Sequence, residues 1–158
     1  MPWPSAPNVL WATSAGAEGD TELNAFDNAL LKAGIGNLNL MKVSSVIPAS
    51  AKLLETAPLI VPGTLVPTVY SVNSSSDSGE TISSAVGLGF SANGHGMIFE
   101  HGAGSAESAE RVVRQMLAEA FERRGMELAR VEVRVAEHRV QRVGCTVAAV
   151  VLWWRDLL

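Results

Sequence analysis

Two adjacent serines, Ser44 and Ser45, stand where an apolar strand-like pattern ends and Val46-Ile47-Pro48 begins. Pro48 drives Ile47 out of helical geometry, so the pair occupies extended or turning backbone. A serine hydroxyl held against the carbonyl that precedes it can attack that carbonyl and form an ester. Elimination and hydrolysis then leave a pyruvoyl ketone at a new chain start. Such a rearrangement requires backbone strain and a donor for the developing oxyanion. By itself a Ser-Ser pair is a turn or strand end far more often than a cleavage site. The tract Ser74-Ser75-Ser76 has the same composition but lies in the polar stretch 71–78, which reads as a flexible loop. Three further polar groups, Asp27, Asn39 and Glu100, stand oddly among apolar neighbours.

Other common chemistries find no support. His95, His101 and His138 have no metal-ligand spacing with each other or with Cys145, so no metal site is expected. Nothing matches a phosphate-cradling glycine loop. The Gly-x-Ser-x-Gly turn of the common serine hydrolases is absent too. Cys145 is the single cysteine, which excludes an internal disulfide and is compatible with a reducing compartment. Inside the apolar run 143–154 it reads as a small buried hydrophobe.

The elements that must position these groups follow from periodicity. Residues 9–13 form a short apolar strand. Asp20-Thr21 supplies cap chemistry for a helix to about Lys32, closed by Gly34 and Gly36. Leu23, Phe26 and Leu30 fall at helical spacing, and Asp27 shares that face, where a carboxylate is costly without a partner. From 37 to 43, Leu38 and Leu40 alternate with Asn37 and Asn39 as in a strand. Residues 80–90 read as a strand with Ile82, Val86 and Leu88 on one face. Its other face, Thr81, Ser83, Ala85, Gly87 and Gly89, is small enough for a partner to pack closely. We expect that partner to be a second copy, because pockets often form between packed units. Residues 97–100 make a short strand. Between 105 and 124, Ala109, Val113, Met116, Leu117, Ala120 and Phe121 form an amphipathic helical stripe, with Gly125 as the stop. Strands over 131–135 and 143–154 complete an α+β fold of two helices and six or seven strands.

At 158 residues the chain suits one domain, and 47% hydrophobic with 18% charged residues suits a packed core. A net charge of −4 without any basic stripe excludes a nucleic-acid binder. The longest apolar run is far short of the ~20 residues that cross a bilayer. Met-Pro-Trp-Pro-Ser-Ala-Pro at the start has neither the basic nor the apolar stretch of a signal peptide. A cytoplasmic protein without membrane or nucleic-acid partners is therefore expected.

Several segments read together carry more than any one of them. The run from Asn24 to Leu40 leads into Lys42-Val-Ser-Ser-Val-Ile-Pro48. Later come Leu65-Val-Pro-Thr-Val-Tyr70 and Gly79-Glu-Thr-Ile-Ser-Ser-Ala85, then Glu137-His138 and Gly144-Cys145 before the last strand. In this order and spacing they resemble the pyruvoyl-dependent arginine decarboxylases, from about residue 9 to residue 154. The resemblance implies an αββα sandwich, with largely antiparallel sheets and helices outside, assembled as a trimer or a dimer of trimers with sites between subunits. It implies one domain that cleaves itself into chains 1–44 and 45–158, the second opening with a covalent pyruvoyl group made from Ser45. By the same resemblance Asn39 assists processing as an oxyanion donor, Glu100 is the catalytic proton donor, and Asp27 receives the substrate's guanidinium. The implied enzyme is a carboxy-lyase that turns L-arginine into agmatine and CO2 through a Schiff base to the ketone. Residues 49–58 and 71–78 follow the family pattern poorly. That leaves two alternatives standing: a pyruvoyl decarboxylase for another amino acid, and a non-catalytic oligomeric paralogue.

Overall fold

The computed structural model describes residues 5–44 and 46–158. Among these the elements are β1 (Val9–Glu18), α1 (Glu22–Ala33), β2 (Asn39–Lys42), β3 (Val46–Ile47), β4 (Lys52–Leu53), β5 (Leu65–Ser75), β6 (Thr81–Phe90), β7 (Gly96–Ala103), α2 (Ala106–Arg123), β8 (Arg130–Arg139) and β9 (Gly144–Trp153). They form two sheets, one in the order β2-β5-β9-β1-β4 and the other β3-β7-β6-β8. All pairings are antiparallel except β1 with β4 and β2 with β5.

The layers follow from side-chain alternation. On β9, Cys145, Val147, Ala149 and Val151 face α1, while Ala148, Val150 and Leu152 face the second sheet. Both sides of this strand are buried over its whole length, which is why its sequence is a continuous apolar run. Helix α1 packs through Ala25, Ala29, Leu30 and Ala33, whose small side chains let the helix sit close to the sheet. Helix α2 packs Ala109, Val113, Leu117, Ala120 and Phe121 on the outside of the second sheet. The result is α1, sheet, sheet, α2: an αββα sandwich, as the resemblance implied, within the α+β class that the periodicities gave.

Both helices start and stop where their residues dictate. The hydroxyl of Thr21 accepts the Asn24 N–H at 3.1 Å, and that of Ser105 accepts the Ser108 N–H at 3.1 Å. Gly34 closes α1 at φ +86, a left-handed conformation that favours glycine.

Two expectations are corrected here. The small-residue face of β6 is covered by α2 of the same chain, not by a second copy. A Cβ on Gly87 would come within 3.1 Å of Leu117, and Ala85 packs against Ala109 and Val113. The polar stretch 71–78 is not a loop throughout, because β5 continues to Ser75, paired with β9 from Thr68↔Val151 to Ser75↔Gly144. Two of its serines are spent locally: the Ser74 hydroxyl donates to Glu22 at 2.9 Å, and that of Ser75 donates to Glu80.

Candidate active site

The backbone changes sheets at the serine pair. β2 lies at the edge of the first sheet, parallel to β5, with Lys42 level with Thr68. β3 lies at the edge of the second, antiparallel to β7, with Val46 opposite Met97. The crossing between the two sheets therefore falls between Lys42 and Val46. Ser44 is exposed, and Ser45 lies outside the described residues. The rim beside Ser44 opens into an apolar pocket of about 290 Å³, whose walls include Met41, Val43, Pro67, Leu152 and Trp154.

Glu100 lies on β7, three residues past Met97, the residue that Val46 of β3 faces. Val43 still belongs to the first sheet and donates its N–H to the Thr68 carbonyl at 3.2 Å. Glu100 shares a strand face with the fully buried Ile98, so it points between the sheets, next to Val86 of β6. Burial pushes its carboxyl above the ordinary carboxylate range, an effect partly offset by the positive charge of Lys42 and by a backbone hydrogen bond. The Lys42 ammonium rests 5.0 Å from the centre of the Tyr70 ring. Across the gap, the Asn73 amide donates to the carbonyls of Ser83, at 3.2 Å, and Ala103, at 3.1 Å. These bonds tie β5 to both β6 and β7 near Glu100.

Asp27 and Asn39 stand elsewhere. The sequence places Asp27 on the inward face of α1 with Leu23, but Leu23 is 74% exposed and Asp27 is exposed beside it. The buried stripe runs through the alanines instead, so Asp27 needs no partner to be tolerated in one chain. It belongs to the outer helix layer, and the first sheet separates it from Glu100. Between α1 and β5 runs a groove of about 440 Å³, lined by Glu22, Leu23, Phe26, Tyr70, Val72 and Ser74. Asn39 begins β2, roughly 10 Å along the strand from Lys42. Its amide donates to the Gly63 carbonyl at 2.8 Å. Ser44 thus stands just before β3, which joins the strand that carries Glu100, while Asp27 and Asn39 lie on exposed surfaces.

Sequence reasoning did not single out Lys42 or link Glu18 with His138. Lys42 acquires meaning only through the pairing of β2 with β5, which no local pattern reveals. Glu18 hydrogen-bonds the His138 ring and accepts the N–H groups of Gln141, Arg142 and Val143 at 3.2, 2.8 and 3.2 Å. Burial alone would raise its carboxyl, but these donors outweigh that and hold it at about 2. The one signal in the sequence is glycine: a Cβ on Gly16 would lie 2.9 Å from His138, and one on Gly144 2.8 Å from the Glu18 carboxylate. Cys145 is fully buried, and burial, then the charge of Glu22, pushes its thiol up to about 11. It is packing and not a nucleophile. Among the described residues no cluster of His, Cys, Asp or Glu could hold a metal ion, and no helix is long and apolar enough to cross a membrane.

Comparison with known proteins places this geometry in context. Residues 9–156 match the family model for pyruvoyl-dependent arginine decarboxylase. A protein of that name from Pyrococcus abyssi is 47% identical over 157 residues, covering 97% of this chain and 99% of its own. Its counterpart from Pyrococcus horikoshii is 49% identical over 157 residues, with the same coverage of both chains. That from Methanocaldococcus jannaschii is 43% identical over 152 residues, covering 94% and 92%.

Proposed function

Because this chain belongs to the pyruvoyl-dependent arginine decarboxylase family, we propose that it converts L-arginine to agmatine and CO2, with a pyruvoyl group made from Ser45 by cleavage of the Ser44–Ser45 bond. The observation that carries this reading is the placement of residues 43 and 44 at the crossing between sheets, just before β3 joins the strand that carries Glu100. The surroundings suit such a group. A pyruvoyl ketone is small, uncharged and part of the chain, so it requires an apolar wall and a nearby acid but no cradle of charged side chains. The walls named above are apolar, and Glu100 is half-buried. The group supplies a carbonyl that withdraws the electrons released when carbon dioxide leaves.

The chain's own residues do the rest. Glu100, its proton retained by burial, returns that proton to the substrate's α-carbon. Asp27 pairs with the guanidinium, for which a carboxylate offers two parallel acceptors. Asn39 retains one amide hydrogen beyond its bond to Gly63 and donates it to the oxyanion formed during cleavage. Asp27 and Asn39 lie apart from Glu100 within one chain, so they serve the site of an adjacent copy. We therefore propose a homo-oligomer, a trimer or a dimer of trimers, working in the cytoplasm. Light scattering of the purified protein would report the assembly. No specific observation favours another amino acid or a non-catalytic role.

The deciding experiment is an intact mass measurement. Cleavage gives fragments of 44 and 114 of the 158 residues, the larger blocked to Edman sequencing and reactive to borohydride. Ser45→Ala should leave a single uncut chain of full length. Parent protein that stays whole, or a Ser45→Ala variant cut at the same place, would refute the origin of the group.

A further inference from the structure

Among the described residues the buried polar side chains are Thr68, Ser71, Ser83, Ser84 and Thr146. Four of them are satisfied. Thr68 donates to the Val66 carbonyl at 3.0 Å, and Ser83 to the carbonyls of Ala103 and Ser105 at 3.0 and 2.7 Å. The hydroxyls of Ser84 and Thr146 bond each other at 2.9 Å. Ser71 is the exception: it is 7% exposed, and among the described residues its hydroxyl has no hydrogen-bond partner. A buried hydroxyl in that condition is rare, because it gives up water and gains nothing in return.

What Ser71 faces is fixed by the levels on either side of it. At one level a Cβ on Gly102 of β7 would lie 3.3 Å from the Cβ of Asn73 on β5. Thr146, opposite Asn73 on β9, there bonds Ser84, opposite Gly102 on β6. Four residues along each strand, Val69 and Val150 join Ile98 and Leu88 in one apolar cluster. The level between them holds Ser71 and Ala148 on the first sheet, Glu100 and Val86 on the second. Side chains alternate along a strand, so Ser71 and Glu100 face each other across the sandwich. Ala148 and Val86 complete that level with apolar groups. The level also lies at the sandwich edge, past both Thr68, which pairs with Lys42, and Met97, which pairs with Val46. Ser44 belongs to the stretch of chain between those two pairings.

We infer that Ser71 is a substrate contact: its hydroxyl donates to the α-carboxylate of the amino acid, with Glu100 on the other side of the reacting carbon. The inference rests on the reading of Glu100 as proton donor. Of the groups on that carbon, the amine is taken by the ketone and the side chain leads away to its own partner. The carboxylate is the acceptor that remains for a hydroxyl. Its charge is lost as carbon dioxide departs, so the bond is stronger to the substrate than to the transition state. Ser71 therefore acts on arginine binding and not on kcat.

Ser71→Ala removes the hydroxyl and little else. The variant should cleave itself and melt as the parent does. In single-turnover assays the arginine concentration for half-maximal rate should rise roughly tenfold or more, the worth of a hydrogen bond to a charged group, with the maximal rate not reduced. Agmatine is arginine without that carboxylate, so it should inhibit parent and variant equally. An unchanged arginine requirement, a fall in maximal rate alone, or an equal loss of agmatine inhibition would overturn the inference. So would a Ser71→Ala chain that stays whole, which would place the hydroxyl in processing. Glu100→Gln separates the two readings. Near-parental turnover there means that the proton-donor assignment has failed. If Glu100→Gln loses turnover while Ser71→Ala binds arginine as the parent does, only the role of Ser71 has failed.

Discussion

Glu18 offers the sharpest quantitative test of how this fold is held. Its carboxylate gathers three backbone N–H groups from residues 141–143 and the His138 ring, pinning the β8–β9 turn to the end of β1. Its carboxyl sits at about 2 against an ordinary 4.5. At 1.36 kcal/mol for each tenfold change in proton affinity, that difference corresponds to roughly 3 kcal/mol of stability. The side chain is 27% exposed, and solvent screening reduces the figure to about 2 kcal/mol. Glu18→Gln imitates the protonated acid, so it should lose that amount at pH 7. For a domain this size the loss lowers the melting temperature by roughly 4–8 °C. The sign of the pH dependence is fixed, because the folded group is the stronger acid. Its contribution is whole above pH 4.5 and disappears as the pH falls through about 2. The gap between the melting curves of parent and variant should therefore narrow from pH 5 to pH 3 and close near pH 2. A difference of the same size at pH 3 and pH 7 would show that the carboxylate's charge is not what secures the turn.

Two further outcomes concern the site. Glu100→Gln should process normally and lose about 10²- to 10⁴-fold in kcat, the usual contribution of a positioned general acid, in a single-turnover assay of carbon dioxide release. Near-parental turnover in fully cleaved protein would move the proton donor elsewhere, with Tyr70 the next candidate. Asp27→Asn should leave cleavage and melting unchanged, since the residue is exposed in one chain, while raising the Michaelis constant for arginine. A carboxylate–guanidinium pair desolvated between copies is worth roughly 2–5 kcal/mol when one partner is truncated. Unchanged arginine kinetics would make Asp27 a surface residue only.

What could be read from the residues is what depends on local periodicity. The α2 stripe, the alternation in β6 and the apolar β9 all came through, because each is long and its buried pattern is its own. The failures are non-local. β3 and β4 are two residues long and exist only as partners of β7 and β1, so no pattern could announce them. β5 was hidden by its serines and by Pro67. Yet Pro67 stands one residue before β5 meets β9, where its missing N–H leaves that ladder intact. Asp27 misled for a different reason. The face marked by Leu23 and Phe26 resembles a buried stripe, but apart from Leu30 the residues that bury are alanines, whose weak hydrophobic signal the larger neighbours drown. Ser44 and Glu100 looked unrelated because 56 positions separate them in the chain. Only the antiparallel pairing of β3 with β7 brings the segment after Ser44 onto the strand that carries Glu100.

The position of the serine pair also bears on whether the fold could survive a cut there. A break between 44 and 45 would sever no strand, since it falls in the link between sheets. The piece before it contributes β1, which pairs with β9 over ten residues from Val9↔Trp153 to Glu18↔Gly144. It also carries α1, whose Ala25, Ala29, Leu30 and Ala33 are buried against that same β9 face. β2 adds four residues of pairing with β5. The first sheet would thus hold the small chain in its middle and at its edge, with partners supplied by the large chain on both counts. The covalent link it replaces closes only a short span. Loop-closure entropy grows slowly with length, so losing that link would cost far less than losing either ladder. The change at the cut would therefore be local, leaving Glu100 and Asn73 in place. A cut inside β1 or β5 would have no such protection. On this topology the edge-to-edge crossing is where the chain can be opened beside an inward-pointing acid without opening the core.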